Sequence, residues 1–342
     1  MRPRGTLAVV GATGQVGGVV LSILGERDLE FERVRLLASE RSAGREIEFL
    51  GAKVMVEDVA TADLGGIDYA IFSIGASASR EYSPRFADAG AVVIDNSSAF
   101  RMDPRVPLVV PEVNPDDATE ASIGIIANPN CTTMIAMPPL SLLDRMYGLR
   151  RVVTSTYQAA SGAGRDGVTE LAEQLDLPNL SALTFDGKAI TFPPGRKFPA
   201  PLAGNVIPLA GSLVGEDTTE EEKFINESRK ILGIPDLLVQ VTCVRVPVFT
   251  GHSLSIVAEC ERTPDPAEFK KELAGQPGCL LADLPTPIGS SGIDPVLIGR
   301  VRRDTSSADG VAFFVSGDNL RKGAALNAIQ ILELVSSGQD GE

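Results

Sequence analysis

The chain is poor in the side chains that build metal centres and disulfide frameworks. It has one histidine, His252, and four cysteines in 342 residues. A single imidazole excludes a metal centre built from several histidines, and any chemistry that needs two. Cys131, Cys243, Cys260 and Cys279 lie far apart with no Cys-x-x-Cys pair, so no zinc ribbon or dithiol motif can be drawn. Four thiols are also too sparse for a disulfide scaffold at this length. Positive charge is scarce: 31 Lys and Arg stand against 45 Asp and Glu, formally −14. No basic run offers a surface to nucleic acid. No apolar stretch approaches the ~18–20 residues of a membrane span. The apolar run at residues 7–10 ends in Gly-Ala-Thr-Gly, which fits a strand and not a leader segment. A cytoplasmic globular protein is the expectation, and its 44% hydrophobic and 22% charged residues suit one.

The length suits two domains, because single cores stop growing near ~250–300 residues. In the first third, short apolar runs at residues 7–10, 34–38, 69–73, 91–95 and 124–127 alternate with helical spacing at 16–24 and 80–89. Strands separated by helices predict an α/β fold of right-handed βαβ units, with a parallel sheet covered on both faces. Further on, residues 151–158, 238–244, 253–259, 296–301 and 311–316 are longer β-type runs with few helices between them. They predict an α+β domain on a mixed or antiparallel sheet. The proline-rich stretch 192–201 is a loop, since proline denies donors to a ladder. Residues 323–335 are helical, and the polar tail 336–342 is expected to be mobile.

Gly11-Ala12-Thr13-Gly14-Gln15-Val16-Gly17 follows a strand and opens a helix. Gly11 permits a tight turn, Gly14 lets backbone approach a pyrophosphate, and Gly17 allows close helix–sheet packing. The helix start then presents N–H groups and a positive dipole end to phosphate. A glycine turn can be purely structural, but this context favours a dinucleotide. After the second strand, Glu40 could hold ribose hydroxyls, as an NAD site requires. Ser39, Arg41 and Ser42 together make a better pocket for a 2′-phosphate, which favours NADP.

Ala127-Asn128-Pro129-Asn130-Cys131-Thr132-Thr133 places a thiol at the start of an apolar helix, with Asn130 as its cap. The dipole there favours thiolate, and N–H groups of the same turn can hold an oxyanion. Cys243 and Cys260 sit in apolar strand patterns like small core residues, and Cys279 lies in a turn with nothing to activate it. His252 enters a strand beside Gly251, seven residues after Arg245, an arginine among valines that needs an anionic partner. A lone histidine is more often structural than catalytic. Together with Cys131 in a nicotinamide protein, however, it points to thiolate attack on an aldehyde followed by hydride transfer.

These motifs, in this order, resemble the bacterial aspartate-semialdehyde dehydrogenases over nearly the whole length. The matching segments include Asn-Ser-Ser-Ala-Phe-Arg ending at Arg101, Tyr-Gln-Ala-Ala-Ser-Gly-Ala-Gly from Tyr157, Glu-Glu-Glu-Lys ending at Lys223, and Gly-Asp-Asn-Leu-Arg-Lys-Gly from Gly317. The resemblance implies a Rossmann-type NADP-binding domain at residues 1–129. It implies a glyceraldehyde-3-phosphate-dehydrogenase-like catalytic and dimerisation domain at 130–317, and a C-terminal helix, 318–336, that returns to the first domain. The implied reaction converts L-aspartyl 4-phosphate to L-aspartate 4-semialdehyde, in lysine, threonine and methionine biosynthesis. Cys131 is then the nucleophile, His252 the acid/base, Gln158 the orienting amide, and Asn130 an oxyanion partner. Arg245 takes the α-carboxylate, Glu220 the ammonium, and Arg101 and Lys223 the phosphate. Gly11, Thr13, Gly14, Gln15, Val16, Ser39, Arg41 and Ser42 hold the cofactor, with Ser161, Gly162 and Asn319 on the nicotinamide side. The implied assembly is a homodimer acting on a small molecule, without metal, nucleic acid or membrane. A malonyl-CoA-type reductase would keep Cys131 and His252 without needing Arg245 and Glu220. A non-catalytic cofactor-binding regulator would not need the intact trio Cys131, Gln158 and His252.

Overall fold

The computed structural model describes residues 5–27 and 29–337. The expected mobile tail therefore falls outside the described residues beyond Ser337. The chain forms two compact units, which divide it at 137/138 and again around residues 226–235 and at 319/320.

The first unit is built on a seven-stranded sheet. Its strands are β1 (Thr6–Val10), β2 (Arg33–Ala38), β3 (Glu46–Phe49), β4 (Ala52–Asp58), β5 (Tyr69–Phe72), β6 (Val92–Asp95) and β7 (Ile125–Ala127). Helices α1 (Gln15–Glu26) and α2 (Ala76–Asp88) connect parallel strands, and α3 (Cys131–Tyr147) follows β7. The order is β3-β4-β2-β1-β5-β6-β7, and every pair is parallel except β3 with β4. Without the edge strand β3 this is the doubly wound dinucleotide-binding order, whose direction of growth reverses between β1 and β5. The β3–β4 hairpin was not foreseen. Its strands alternate charged and apolar residues, and its turn, Leu50-Gly51, has both φ values positive, at 49° and 77°.

The second unit holds a mixed six-stranded sheet of order β11-β8-β12-β15-β14-β13. These are β8 (Leu149–Gln158), β11 (Leu238–Arg245), β12 (His252–Cys260), β13 (Cys279–Leu281), β14 (Val296–Arg303) and β15 (Gly310–Gly317). A small hairpin, β9 (Leu213–Val214) with β10 (Asp217–Thr218), stands apart from the sheet. Helices are more frequent than the β-rich pattern suggested: α4 (Arg165–Leu175), α5 (Thr219–Leu232), α6 (Pro266–Leu273) and α7 (Pro287–Ser290) all intervene. The proline-rich stretch is irregular, as expected. Buried Glu170 and Gln174 of α4 fasten it by accepting the amide protons of Arg196, Lys197, Leu202 and Ala203 at 2.7–3.0 Å.

The chain returns to the first unit through a π-type turn (Arg321–Ala325) and α8 (Leu326–Ser337). Helix α8 buries Leu326, Ile329, Ile331 and Leu332 in the same apolar core as β1 and α1. Buried Lys322 anchors the turn, donating to Glu112, Asn327 and Gln330 at 2.5–2.9 Å, so that its ammonium is satisfied on all three protons.

Candidate active site

In the first unit the glycine turn lies where the sheet order reverses. Gly11, at φ 91°, donates its N–H to Leu37 O at 2.7 Å. A Cβ at Gly11 would lie 2.3 Å from the Ser73 carbonyl oxygen, beyond β5, so no larger residue fits between the two strand ends. Gly14 caps α1, whose first turn, with Gln15 and Val16, carries no acidic side chain against an anion. Thr13 Oγ1 reaches Ser42 Oγ at 3.4 Å and so ties this turn to the one after β2. Ser39 and Arg41 are exposed, Ser42 is half-buried, and Arg41 makes no ion pair among the described residues. The pre-shaped turn and the unengaged cation fit a dinucleotide with a phosphorylated ribose.

The thiol sits at the first residue of α3, half-buried. Asn130 caps the helix: its Oδ1 accepts from Thr132 N at 3.0 Å and from Thr132 Oγ1 at 2.7 Å. Behind it lies Glu227, 1% exposed, which the sequence reading did not single out. One carboxylate oxygen accepts Asn130 N–H at 2.6 Å, and the other accepts Arg101 Nη1 at 2.9 Å. Glu227 therefore sets both the backbone before the Cys131 thiol and the buried arginine. Arg101 Nη2 donates to Asn96 O at 2.7 Å, while its Nε is buried without a partner, as an anion site requires. The loop carrying Asn96 is shaped by buried Asp95, which accepts from Ser79 Oγ, Ser97 N and Ser97 Oγ at 2.7–2.9 Å. Burial holds the Asp95 carboxyl above the usual carboxylate range despite these bonds.

In the second unit α5 opens with a reciprocal capping box. Thr218 N–H donates to Glu221 Oε2 at 2.7 Å, and Glu221 N–H donates to Thr218 Oγ1 at 3.3 Å. The other Glu221 oxygen accepts Cys243 N–H at 2.8 Å, which pins α5 to β11. This orients Glu220, whose carboxylate accepts Lys223 Nζ at 2.7 Å and Gln158 Nε2 at 3.1 Å. The expected shared face of Glu220 and Lys223 is thus an ion pair one helical turn long. Arg245, at the end of β11, is 6% exposed, donates Nη1 to Ala159 O at 2.8 Å, and has its guanidinium 5.9 Å from the Phe198 ring centre.

His252 opens β12, fully buried. Its Nδ1 accepts Ala159 N–H at 3.0 Å, and its Nε2 has no partner. Burial, reinforced by Arg245 and opposed by Glu220, pushes the imidazole pKa down to about 3. Gly162 leaves room beside it: a Cβ would stand 2.9 Å from Arg245 Nη1 and 3.0 Å from His252 Nε2. Asn319 ties the neighbouring turns together, donating Nδ2 to Ser161 Oγ at 2.9 Å and accepting Gly251 N–H at 2.9 Å. Ser161, Gly162 and Asn319, expected near the nicotinamide, are therefore also part of the frame around His252. Among the other thiols, Cys243 is fully buried, and burial drives Cys260 up to about 12.

A doubly wound nucleotide-binding unit with a helix-start thiol, and a mixed-sheet unit with a buried imidazole and a buried arginine, are the features of a thiol-dependent dehydrogenase class. Family models agree: the semialdehyde dehydrogenase NAD binding domain matches residues 6–121, and the semialdehyde dehydrogenase dimerisation domain matches 140–322. Aspartate-semialdehyde dehydrogenase of Mycolicibacterium smegmatis is 51% identical over 97% of this chain and 99% of its own. That of Bacillus subtilis is 42% identical over 96% of both chains. The crystal structure of aspartate semialdehyde dehydrogenase II complexed with ASA from Vibrio cholerae superposes with a TM-score of 0.91 at 40% identity, covering 98% of each chain. The chain belongs to the aspartate-semialdehyde dehydrogenase family. Among the described residues no helix is long and apolar enough to cross a membrane.

Proposed function

We propose that the chain reduces L-aspartyl 4-phosphate to L-aspartate 4-semialdehyde with NADPH, releasing phosphate, as a step in lysine, threonine and methionine biosynthesis. The observation that carries this reading is Cys131 at the first position of α3, with Asn130 capping the helix beside the buried Arg101–Glu227 pair. The helix dipole favours the thiolate. Cys131 Sγ attacks the acyl carbon; a C–S bond forms, the C–O bond to phosphate breaks, and phosphate leaves with that electron pair. Arg101, through its unpartnered Nε, and Lys223 hold the departing phosphate. When bound, NADPH supplies the hydride that reduces the thioester carbonyl carbon. The Cys131 N–H and the Asn130 side-chain amide then steady the resulting oxyanion, with His252 as the acid/base on the same oxygen. The oxyanion pair re-forms the carbonyl as the C–S bond breaks and the thiolate returns.

Arg245 takes the α-carboxylate in a bidentate fork, Glu220 takes the ammonium, and Gln158 orients the acyl group. Gly11, Thr13, Gly14, Gln15, Val16, Ser39, Arg41 and Ser42 hold the dinucleotide, with Ser161, Gly162 and Asn319 toward the nicotinamide. In this reading residues 1–129 with helix 318–336 form the NADP-binding domain, and 130–317 form the catalytic and dimerisation domain of a cytoplasmic homodimer. The dimerisation-domain match supports the dimer. The direct test supplies aspartate semialdehyde, phosphate and NADP to purified protein and follows nicotinamide absorbance. Phosphate-dependent NADPH formation is expected. No signal with this substrate, alongside reduction of malonyl-CoA, would replace the reading with an acyl-CoA reductase.

A further inference from the structure

We propose that Lys322 sets the direction of three side-chain amides, those of Asn327, Asn128 and Asn96, so that Asn96 presents Nδ2–H as a donor to an acceptor oxygen of a bound molecule. That oxygen belongs to the phosphate of the substrate or to the carboxamide of the nicotinamide. Asn96 is then a binding residue, and Asn128 and Asn327 are positioning residues that act through it. The choice of molecule rests on the function proposed above; the direction of the amides does not.

All four residues belong to the first unit, and Lys322, Asn327 and Asn128 are fully buried. An ammonium only donates, so the Asn327 atom that meets Lys322 Nζ at 2.7 Å is its oxygen. The other end of that amide is therefore nitrogen, and it donates to the Val109 carbonyl at 2.9 Å. The same nitrogen donates to Asn128 at 2.6 Å, so the Asn128 atom there is oxygen. Asn128 must then turn Nδ2 the other way, where it donates to the Ala324 carbonyl at 2.9 Å. Asn128 Nδ2 also donates to Asn96 Oδ1. Two backbone carbonyls, of Val109 and Ala324, thus check the direction independently of the side chains. Asn96 Nδ2 ends the series, buried and with no partner among the described residues. Glu112 and Gln330 also accept from the Lys322 ammonium, which holds it in place.

The series ends where a doubly wound sheet binds its ligands. Asn96 follows the last residue of β6 and Asn128 the last of β7, at the carboxyl ends of parallel strands. Both backbones are held there. Asn96 N–H donates to Phe72 O at 2.9 Å, and Asn128 N–H donates to Asp95 O at 2.8 Å. The Asn96 carbonyl is taken by Arg101 Nη2 at 2.7 Å. Arg101 Nε is a second buried donor without a partner, further along the same loop. A buried N–H left unmet is costly, and two on one loop are explained together by oxygens that arrive with a ligand. A phosphate offers such oxygens, and so does a carboxamide. With the series reversed, Asn96 would show oxygen at the same place and repel either one. Lys322 forbids the reversal, because an ammonium has no lone pair to accept with.

Side-chain 15N labelling of asparagine in the whole protein gives the first readout. The Asn96 amide signal is the one missing from the Asn96→Ala spectrum. Inorganic phosphate and NADP, added separately to wild type, should shift it, and the larger shift identifies the oxygen. No turnover is needed, so failure of the proposed reaction would leave this readout intact. Kinetics with aspartate semialdehyde, phosphate and NADP give the second. Asn96→Ala should raise the KM of the same ligand about 10-fold and leave the other largely unchanged. Asn327→Leu should raise that KM by a smaller factor. The double variant should be no worse than Asn96→Ala alone, because Asn327 then has no donor left to orient. Effects that multiply would make Asn327 a merely structural residue and overturn the relay. A signal that neither ligand moves, or two unchanged KM values in Asn96→Ala, would mean that the donor serves only water and would overturn the proposal. Should Asn327→Leu not fold, Asn327→Ser, whose hydroxyl has no fixed direction, takes its place in the same cycle.

Discussion

The two polar clusters are held by opposite means. In the first unit an ionised side chain does the holding: the Glu227 carboxylate bridges Arg101 and the amide of Asn130. In the second unit an uncharged backbone does it, as Ala159 takes His252 Nδ1 on one side and Arg245 on the other. The carboxylate anchor takes one end of the Arg101 guanidinium and leaves its Nε without a partner. The peptide anchor gives the buried imidazole an N–H donor at Nδ1 and leaves Nε2 without a partner.

Removing the thiol proposed as nucleophile tests the first cluster most severely. Cys131→Ala should lower turnover by roughly 10³-fold or more in steady-state assays, whereas alanine at Cys243, Cys260 or Cys279 should leave most of it. Arg245→Lys tests the second. Lysine keeps the charge but cannot grip both Ala159 O and a carboxylate with a planar fork, so kcat/KM should fall about 10²-fold. Unchanged kcat/KM would deny the arginine its role. Glu227→Gln turns one acceptor into a donor facing either Asn130 N–H or Arg101. It should reduce kcat about 10-fold and cost about 1–3 kcal/mol in urea unfolding. Arg41→Ala should lower the preference for NADP over NAD about 10-fold, read from the two kcat/KM values, without altering NAD turnover.

The smallest effect is on pH-dependent stability. The folded His252 pKa, at about 3, lies below the unfolded value of 6.5, so only the unfolded chain takes up a proton between them. This group's contribution is whole above pH 6.5 and declines as pH falls toward 3. Urea midpoints of wild type and His252→Gln at pH 7 and pH 5 should show wild type losing more. Equal losses would mean that the imidazole titrates in the fold as it does in the unfolded chain.

Features set by neighbours in the sequence were legible. Gly11 follows a strand directly, Cys131 follows its own cap, and Arg245 is conspicuous among valines. Features set by distant partners were not. Glu227 lies in a charged helix and acts on an amide 97 residues away, so nothing local marks it. Its helix, α5, reads as a solvated run, yet Glu221 and Glu227 are buried because each carboxylate meets backbone or arginine donors. Ala159 works through its peptide groups, which every residue possesses. The β3–β4 hairpin escaped notice because its outward charges mask a two-residue periodicity.

The most direct test of the thiol chemistry omits phosphate. With aspartate semialdehyde and NADP alone, hydride leaves the thiohemiacetal on Cys131 and the thioester has no acceptor but water. A burst of NADPH equal to about one per active site, followed by slow turnover, is predicted, and Cys131→Ser should abolish it. Steady turnover without a burst, or a burst that survives in Cys131→Ser, would contradict the account.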